Sequence, residues 1–264
     1  MPILNDILQV RRQIEMDGFA TVPELLTYAQ VAALQLRVDA LFTSTRPKSK
    51  QVLYVDGHVP EDTPPLDDLL HQWLNPHRFG SHEGTSNFLE APRAFASQLL
   101  DAEPVLFQDL LLVKEMGQQR FPWHQDFPFW PIDRPEAVVC WIPLVSNEIE
   151  GGGLRFARAS HRLGEQPIID LHRGTQQDRS DPTYLLQTAY EIVCPRLQAG
   201  DAVFFSPLIF HSSMPRTLAG QRAAWSSIWL DPTVRWSHRR VPAHPVCRQV
   251  TDGEFVHPLD KSPS

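Results

Sequence analysis

The chain has 264 residues, 42% of them hydrophobic and 21% charged, with a formal net charge of −7. That balance is that of a globular chain with a sizeable core, and it leaves no basic footprint for nucleic acid or an anionic membrane. Three cysteines, Cys140, Cys194 and Cys247, fit neither a disulfide framework nor a paired-cysteine zinc site.

The N-terminus, MPILNDILQVRRQIEMDGF, is charged throughout, so no signal peptide is expected, and no run of 18 apolar residues predicts a membrane span. A reducing cytoplasm is the default compartment. Apolar residues recur at helical spacing over 4–16 and 28–43. Between these helices, 17-DGFATVPELL-26 reads as a short strand and turn. Residues 44–66 are rich in Pro, Asp, Ser and Lys and read as a loop, and 86–101 as a further helix.

Beyond residue 100 the texture changes. Short apolar or alternating segments at 105–115, 137–145, 153–160, 202–213 and 222–230 are bounded by Gly, Pro, Asp or Asn. They lack the strand–helix alternation of a parallel sheet, so a mainly β architecture with flanking helices is expected, an antiparallel barrel or jelly roll. Residues 164–190 form a long polar connection; with 44–66 they are the candidates for a lid. The tail from 231, rich in Pro, His and Arg, is expected to wrap the outside. The whole reads as one domain over 1–264: helical to about 100, a β core over about 101–232, and the tail.

Within 123-WHQDFPFWP-131, His124 and Asp126 are two apart. On an extended segment both point to one side and can converge on a cation. Alone, such a pair is as readily a surface turn. His211, at the end of 200-GDAVFFSPLIFHSS-213, is the best third ligand, with a satisfied core histidine as the other reading. Two His and one carboxylate leave iron open positions for O2 and a chelating co-substrate. Eleven residues after His211, Arg222 opens the strand RAAWSSIWL. A guanidinium inside a barrel requires an anion, and the distal carboxylate of 2-oxoglutarate fits its fork, with Ser213 sharing the face.

These segments together, WHQD, GGGLRFARASHR, GDAVFFSPLIFHSS and the arginine eleven beyond, resemble the phytanoyl-CoA dioxygenase (PhyH-like) family of Fe(II)/2-oxoglutarate oxygenases. The resemblance implies a double-stranded β-helix core of the jelly-roll, cupin-like kind. It implies Fe(II) on His124, Asp126 and His211, and 2-oxoglutarate on Arg222 and Ser213. Gln125, Lys114 and Trp141 match positions that line the co-substrate. Because a carboxylate occupies the position that is small in related halogenases, hydroxylation of a small organic molecule is favoured over halogenation, and a secondary metabolite is the leading substrate guess. Phe127, Phe129 and Trp130 are core or substrate-pocket wall; His161 and Gly151–Gly153 read as structural. Arg155, Arg158 and Arg162 are a solvated face or an anion-binding cluster. The rival classes are a non-catalytic cupin-like binding protein and a zinc-dependent hydrolase using the same ligands.

Overall fold

The structure, a computed structural model, describes residues 4–44, 53–54, 70–78, 88–168 and 182–258. Two sheets form its centre. The larger is built from β1 (Phe19–Val22), β2 (Leu53–Tyr54), β3 (His71–Leu74), β4 (Val105–Glu115), β6 (Ala137–Pro143), β9 (Ala202–Phe205) and β11 (Gln221–Leu230), in the order β1-β9-β6-β11-β4-β3-β2. The smaller, β5-β10-β7-β8, contains β5 (Phe121–His124), β7 (Leu154–Ala157), β8 (Ile192–Val193) and β10 (His211–Ser213). All pairings are antiparallel except β2 with β3.

Three helices, α1 (Leu4–Asp17), α2 (Tyr28–Ser44) and α3 (Glu90–Leu100), accompany the large sheet. Their apolar stripes meet its outer face in one core that includes Ile7, Leu34, Phe95, Leu111, Phe204 and Trp225. A second core fills the space between the sheets, with Phe107, Trp130, Trp141, Phe156 and Ile228 among its members. The alternation along β4 and β11 divides the two: Leu111 and Val113 face the helices, Leu110 and Leu112 the interior.

Three expectations need correction. The single strand expected over 202–213 is two strands in different sheets, separated by a turn at Ser206–Phe210. Pro207 has no N–H to continue a ladder, and Ile209 N–H closes the turn on Ser206 O. The corner carries the chain across the barrel and delivers His211 to the small sheet. Residues 164–190 are not all connection: α4 (Pro182–Ala189) lies within them, and its Leu186 packs on Trp123 and Phe210. The tail does not merely wrap the outside. Val234, Trp236, Val246 and Val256 enter the inter-sheet core, and Ile132 bridges to Trp236. Burial of these side chains favours that path at ~25 cal/mol per Å2 of apolar surface. Apart from Ser44 and β2, the 44–66 loop lies outside the described residues. No helix among the described residues is long and apolar enough to cross a membrane.

Candidate active site

β5 and β10 are neighbours in the small sheet, and His124 stands directly opposite His211 in their register. Their rings lie 4.1 Å apart, centroid to centroid. Asp126 reaches them by another route than the pleat. β5 stops at His124, and Asp126, with φ −78° and ψ −42°, begins a single 3-10 turn over Phe127–Phe129. The Asp126 and Phe127 amides both donate to Pro207 O, in the corner before His211. One carbonyl therefore fixes the two ligand-bearing segments against each other.

Asp126 Oδ1 lies 3.5 Å from His124 Nε2 and 3.6 Å from His211 Nε2. The ligand atoms of the three residues all fall within 4.8 Å of one another. Both imidazoles have Nδ1 turned to a backbone carbonyl, Pro122 O at 2.9 Å and Ile209 O at 3.2 Å. With Nδ1–H donating there, each Nε2 keeps a free lone pair for a metal. Burial holds the His211 imidazole down to about 4, which keeps it neutral and ligand-competent at neutral pH. Burial pushes the Asp126 carboxyl up, but the neighbouring His211 and His124 outweigh it and leave it below the usual carboxylate range. Two imidazoles and one carboxylate on a shared face are the donor set of ferrous oxygenases.

Ser213, two residues beyond His211, leads to a second polar group, in which Arg222 on β11 stands opposite Lys114 on β4. Arg222 is 3% exposed and Lys114 is fully buried. Arg222 donates one bond to Gly152 O, 2.9 Å away, and its Nε has no partner. Lys114 Nζ donates to Ser213 Oγ, Gln119 O and Met214 O at 2.8–2.9 Å. Neither has an acidic partner among the described residues. Burial and the nearby Arg222 lower Lys114 to about 6, and burial with Arg216 lowers Arg222 to about 10. A buried guanidinium without a counter-ion is costly, while burial leaves Lys114 neutral above about pH 6; a carboxylate placed between them would offset the cost of the first and draw a proton onto the second. The Trp141 ring lies 5.6 Å from the Arg222 guanidinium. Ser213, Lys114, Trp141 and Arg222 thus come together, as anticipated.

Gly152 makes this possible. Its φ is +82°, and a Cβ there would stand 2.8 Å from Lys114 Cδ. The glycine run read only as a turn is also the wall against which both cations lie.

Gln125 is a correction. Its Nε2 donates to Gly164 O at 2.9 Å and Leu208 O at 2.6 Å, and its Oε1 accepts from Gln166 N at 2.8 Å. The amide is engaged by backbone and not by the co-substrate end of the barrel. It ties the ligand turn, the corner before His211 and the 164–166 segment together.

Of the aromatics, Phe129 has its ring 6.3 Å from His124. Phe127 lies under the Arg240 guanidinium at 4.3 Å, and Trp130 packs edge-on against Phe107 at 5.8 Å. Only Phe129 of the three adjoins a metal ligand ring. His161 Nε2 bonds Glu15 O at 3.1 Å and docks the end of α1. Arg155 bonds Ser212 Oγ at 2.8 Å and lies over Trp123, while Arg158 pairs with Glu191. These arginines do not converge on one ligand. The three cysteines are free thiols.

A double-stranded β-helix with two histidines and a carboxylate on one face and a buried arginine and lysine within the same interior defines the iron- and 2-oxoglutarate-dependent oxygenases as a class. Residues 14–224 match the phytanoyl-CoA dioxygenase (PhyH) family model, and the chain belongs to that family. It is 26% identical over 267 residues to an L-proline trans-4-hydroxylase of Streptomyces griseoviridis, covering 93% of this chain and 92% of that one. Its fold matches the epimerase SnoN, solved with Fe3+, α-ketoglutarate and nogalamycin RO, with a TM-score of 0.70 at 18% identity and 96% of each chain covered. It also matches EvdO2 of Micromonospora carbonacea var. aurantiaca, solved with 2-oxoglutarate, with a TM-score of 0.62 at 24% identity, covering 84% of this chain and 89% of that one.

Proposed function

We propose that this protein hydroxylates an unactivated C–H bond of a small organic molecule in secondary metabolism, using Fe(II), 2-oxoglutarate and O2. His124, Asp126 and His211 hold the iron. Arg222, with Ser213 and Lys114, holds the distal carboxylate of 2-oxoglutarate, and Trp141 walls that end. Bound there, the ferrous ion supplies the oxidising chemistry, with 2-oxoglutarate as reductant of O2. The chain orients and desolvates. The Nδ1 bonds fix both imidazoles, Pro207 O fixes the Asp126 turn, and Phe129 shields the metal side.

The observation that carries this reading is the buried pair Arg222 and Lys114, without an acidic partner among the described residues and joined through Ser213 to the strand that bears His211. A zinc hydrolase has no use for them, and a metal-free binding protein has no use for the ligands. The relatives favour small substrates: one acts on L-proline and one binds a nogalamycin compound.

Succinate formation from 2-oxoglutarate under air, with Fe(II) added, tests the proposal. The wild-type protein is expected to form succinate, and His211→Ala to fall to background. Activity that persists in His211→Ala, or that proceeds anaerobically with zinc, refutes it.

A further inference from the structure

The interior face of the large sheet can be followed rung by rung. The first rung runs Phe205, Val139, Ile228, Gln108 across β9, β6, β11 and β4. The second runs Val203, Trp141, Ser226, Leu110. Directly paired residues share a face, and Trp141, Val139, Ile228 and Phe205 all belong to the inter-sheet core. Gln108 and Ser226 therefore face the interior too.

Both are buried, Gln108 at 8% exposure and Ser226 at 4%. Neither side chain makes a hydrogen bond among the described residues, and their polar atoms are not among the fully enclosed unpartnered ones, so the amide and the hydroxyl stay accessible to a ligand. The outer face of the same strand pair differs: there Ser227 Oγ accepts from Trp229 Nε1 at 2.9 Å.

The backbone is irregular at this point. Between Ile228 and Trp229 the register with β4 shifts from Gln108 to Leu106, leaving Phe107 unopposed. Such a bulge re-aims side chains and recurs beside active sites. Here Phe107 meets Trp130, just beyond the Asp126 turn, and the same rung passes under the metal ligands, with Phe205 5.1 Å from the His211 ring. Of the two basic groups, Lys114 is six residues along β4 from Gln108, ~20 Å of extended strand, and Arg222, whose guanidinium lies 5.6 Å from the Trp141 ring, is taken up by the 2-oxoglutarate carboxylate in the proposed function. No charged residue stands on either rung. An ion brought here would lie buried without a counter-charge.

We infer that Gln108 and Ser226 form the polar subsite of the substrate pocket, and that the molecule oxidised presents an uncharged hydrogen-bonding group to them, such as an amide, carbonyl or hydroxyl. The inference rests on the proposed oxygenase function and deepens it. The Gln108 amide offers one donor pair and one acceptor, and the Ser226 hydroxyl offers either, so a group that both donates and accepts is matched best. An analogue lacking that group leaves both side chains unsatisfied in a dry interior.

The test uses the full chain, anaerobic, loaded with Fe(II) and 2-oxoglutarate. Thermal shifts are read with 2-pyrrolidinone and methyl β-glucoside as neutral polar probes and methylcyclopentane as the apolar control. At least one polar probe is expected to raise the melting temperature of the wild-type protein. Its apparent affinity is expected to fall about tenfold in Gln108→Leu and less in Ser226→Ala. The melting temperature without probe should not drop in either variant, since no existing bond is removed. The stabilisation by 2-oxoglutarate alone should be the same in both variants as in wild type. No response to either polar probe, an equal response to methylcyclopentane, or an undiminished response in Gln108→Leu overturns the inference. If 2-oxoglutarate itself fails to stabilise the iron-loaded wild type, the oxygenase reading fails and this inference with it. If it stabilises the wild type and only the probe result fails, the subsite alone is wrong.

Discussion

The two faces of the large sheet differ in how they hold polar side chains, although the outer face too buries atoms unpartnered among the described residues, Asp109 Oδ2 and Trp225 Nε1. Toward the helices, His71 bonds Glu115 at 2.9 Å, Asp109 bonds His77, and Trp229 bonds Ser227. Toward the small sheet, Lys114 and Arg222 are buried without an acid, and Gln108 and Ser226 make no side-chain hydrogen bond, among the described residues. The strands are the same; only the parity of the position differs. The outer face is built for stability. The inner face gives up stability to hold groups that await a ligand, as functional sites commonly do.

Substitutions on either face should break that symmetry in opposite senses. The largest effect is expected from Arg222→Met. It removes the guanidinium of a charge-paired contact and should weaken 2-oxoglutarate binding by about 2–5 kcal/mol in an anaerobic titration. The ligand-free protein should melt higher, because an uncompensated buried charge is gone. A lower melting temperature would show that the arginine is structural.

Leu111→Ala, one parity over on β4, should do the reverse. It opens a cavity in the helix-facing core and should cost about 2–5 kcal/mol of stability by denaturant unfolding. The folded variant should keep its 2-oxoglutarate affinity.

Gln125→Leu lies between the two cases. It leaves all three ligands in place but removes the bonds that join the ligand turn to Leu208 and Gly164. Metal affinity, read with Co(II) by calorimetry, should fall about 10- to 100-fold. An unchanged affinity would reduce Gln125 to a surface clasp.

The smallest effect is a pH dependence. In the free protein Lys114 titrates near 6, so it is neutral above that pH. A carboxylate beside it raises that value, so binding takes up a proton. Affinity for 2-oxoglutarate should therefore fall as pH rises above about 6, by up to tenfold per unit. Lys114→Met should flatten the profile.

Much of this was legible in the sequence. Apolar periodicity places the helices, and the bounded apolar runs place most of the strands. Residue chemistry offers the ligand triad and Arg222 as candidates, and the family resemblance of the surrounding motifs selects them. What was not legible depends on where the chain leaves regular geometry. The turn at Asp126 brings a carboxylate to the metal face by a route that the alternation rule does not describe. The corner at Pro207 splits one apolar run between two sheets. The bulge at Phe107 shifts the parity of β4, so nothing in VLFQDLLLVKE reveals that Phe107 enters the inter-sheet core beside Gln108. The tail reads as polar, yet Val234, Trp236, Val246 and Val256 complete the core because they alone reach its open end.

The most direct test of the central claim is an anaerobic absorbance titration with 2-oxoglutarate of the protein loaded with Fe(II). If three side chains hold one ferrous ion and the two cations hold the co-substrate, a visible charge-transfer band should grow to a one-to-one endpoint. It should be absent in Asp126→Ala and need far more co-substrate in Arg222→Met. A wild-type protein that develops no band, or an Asp126→Ala variant that develops the same one, contradicts the account.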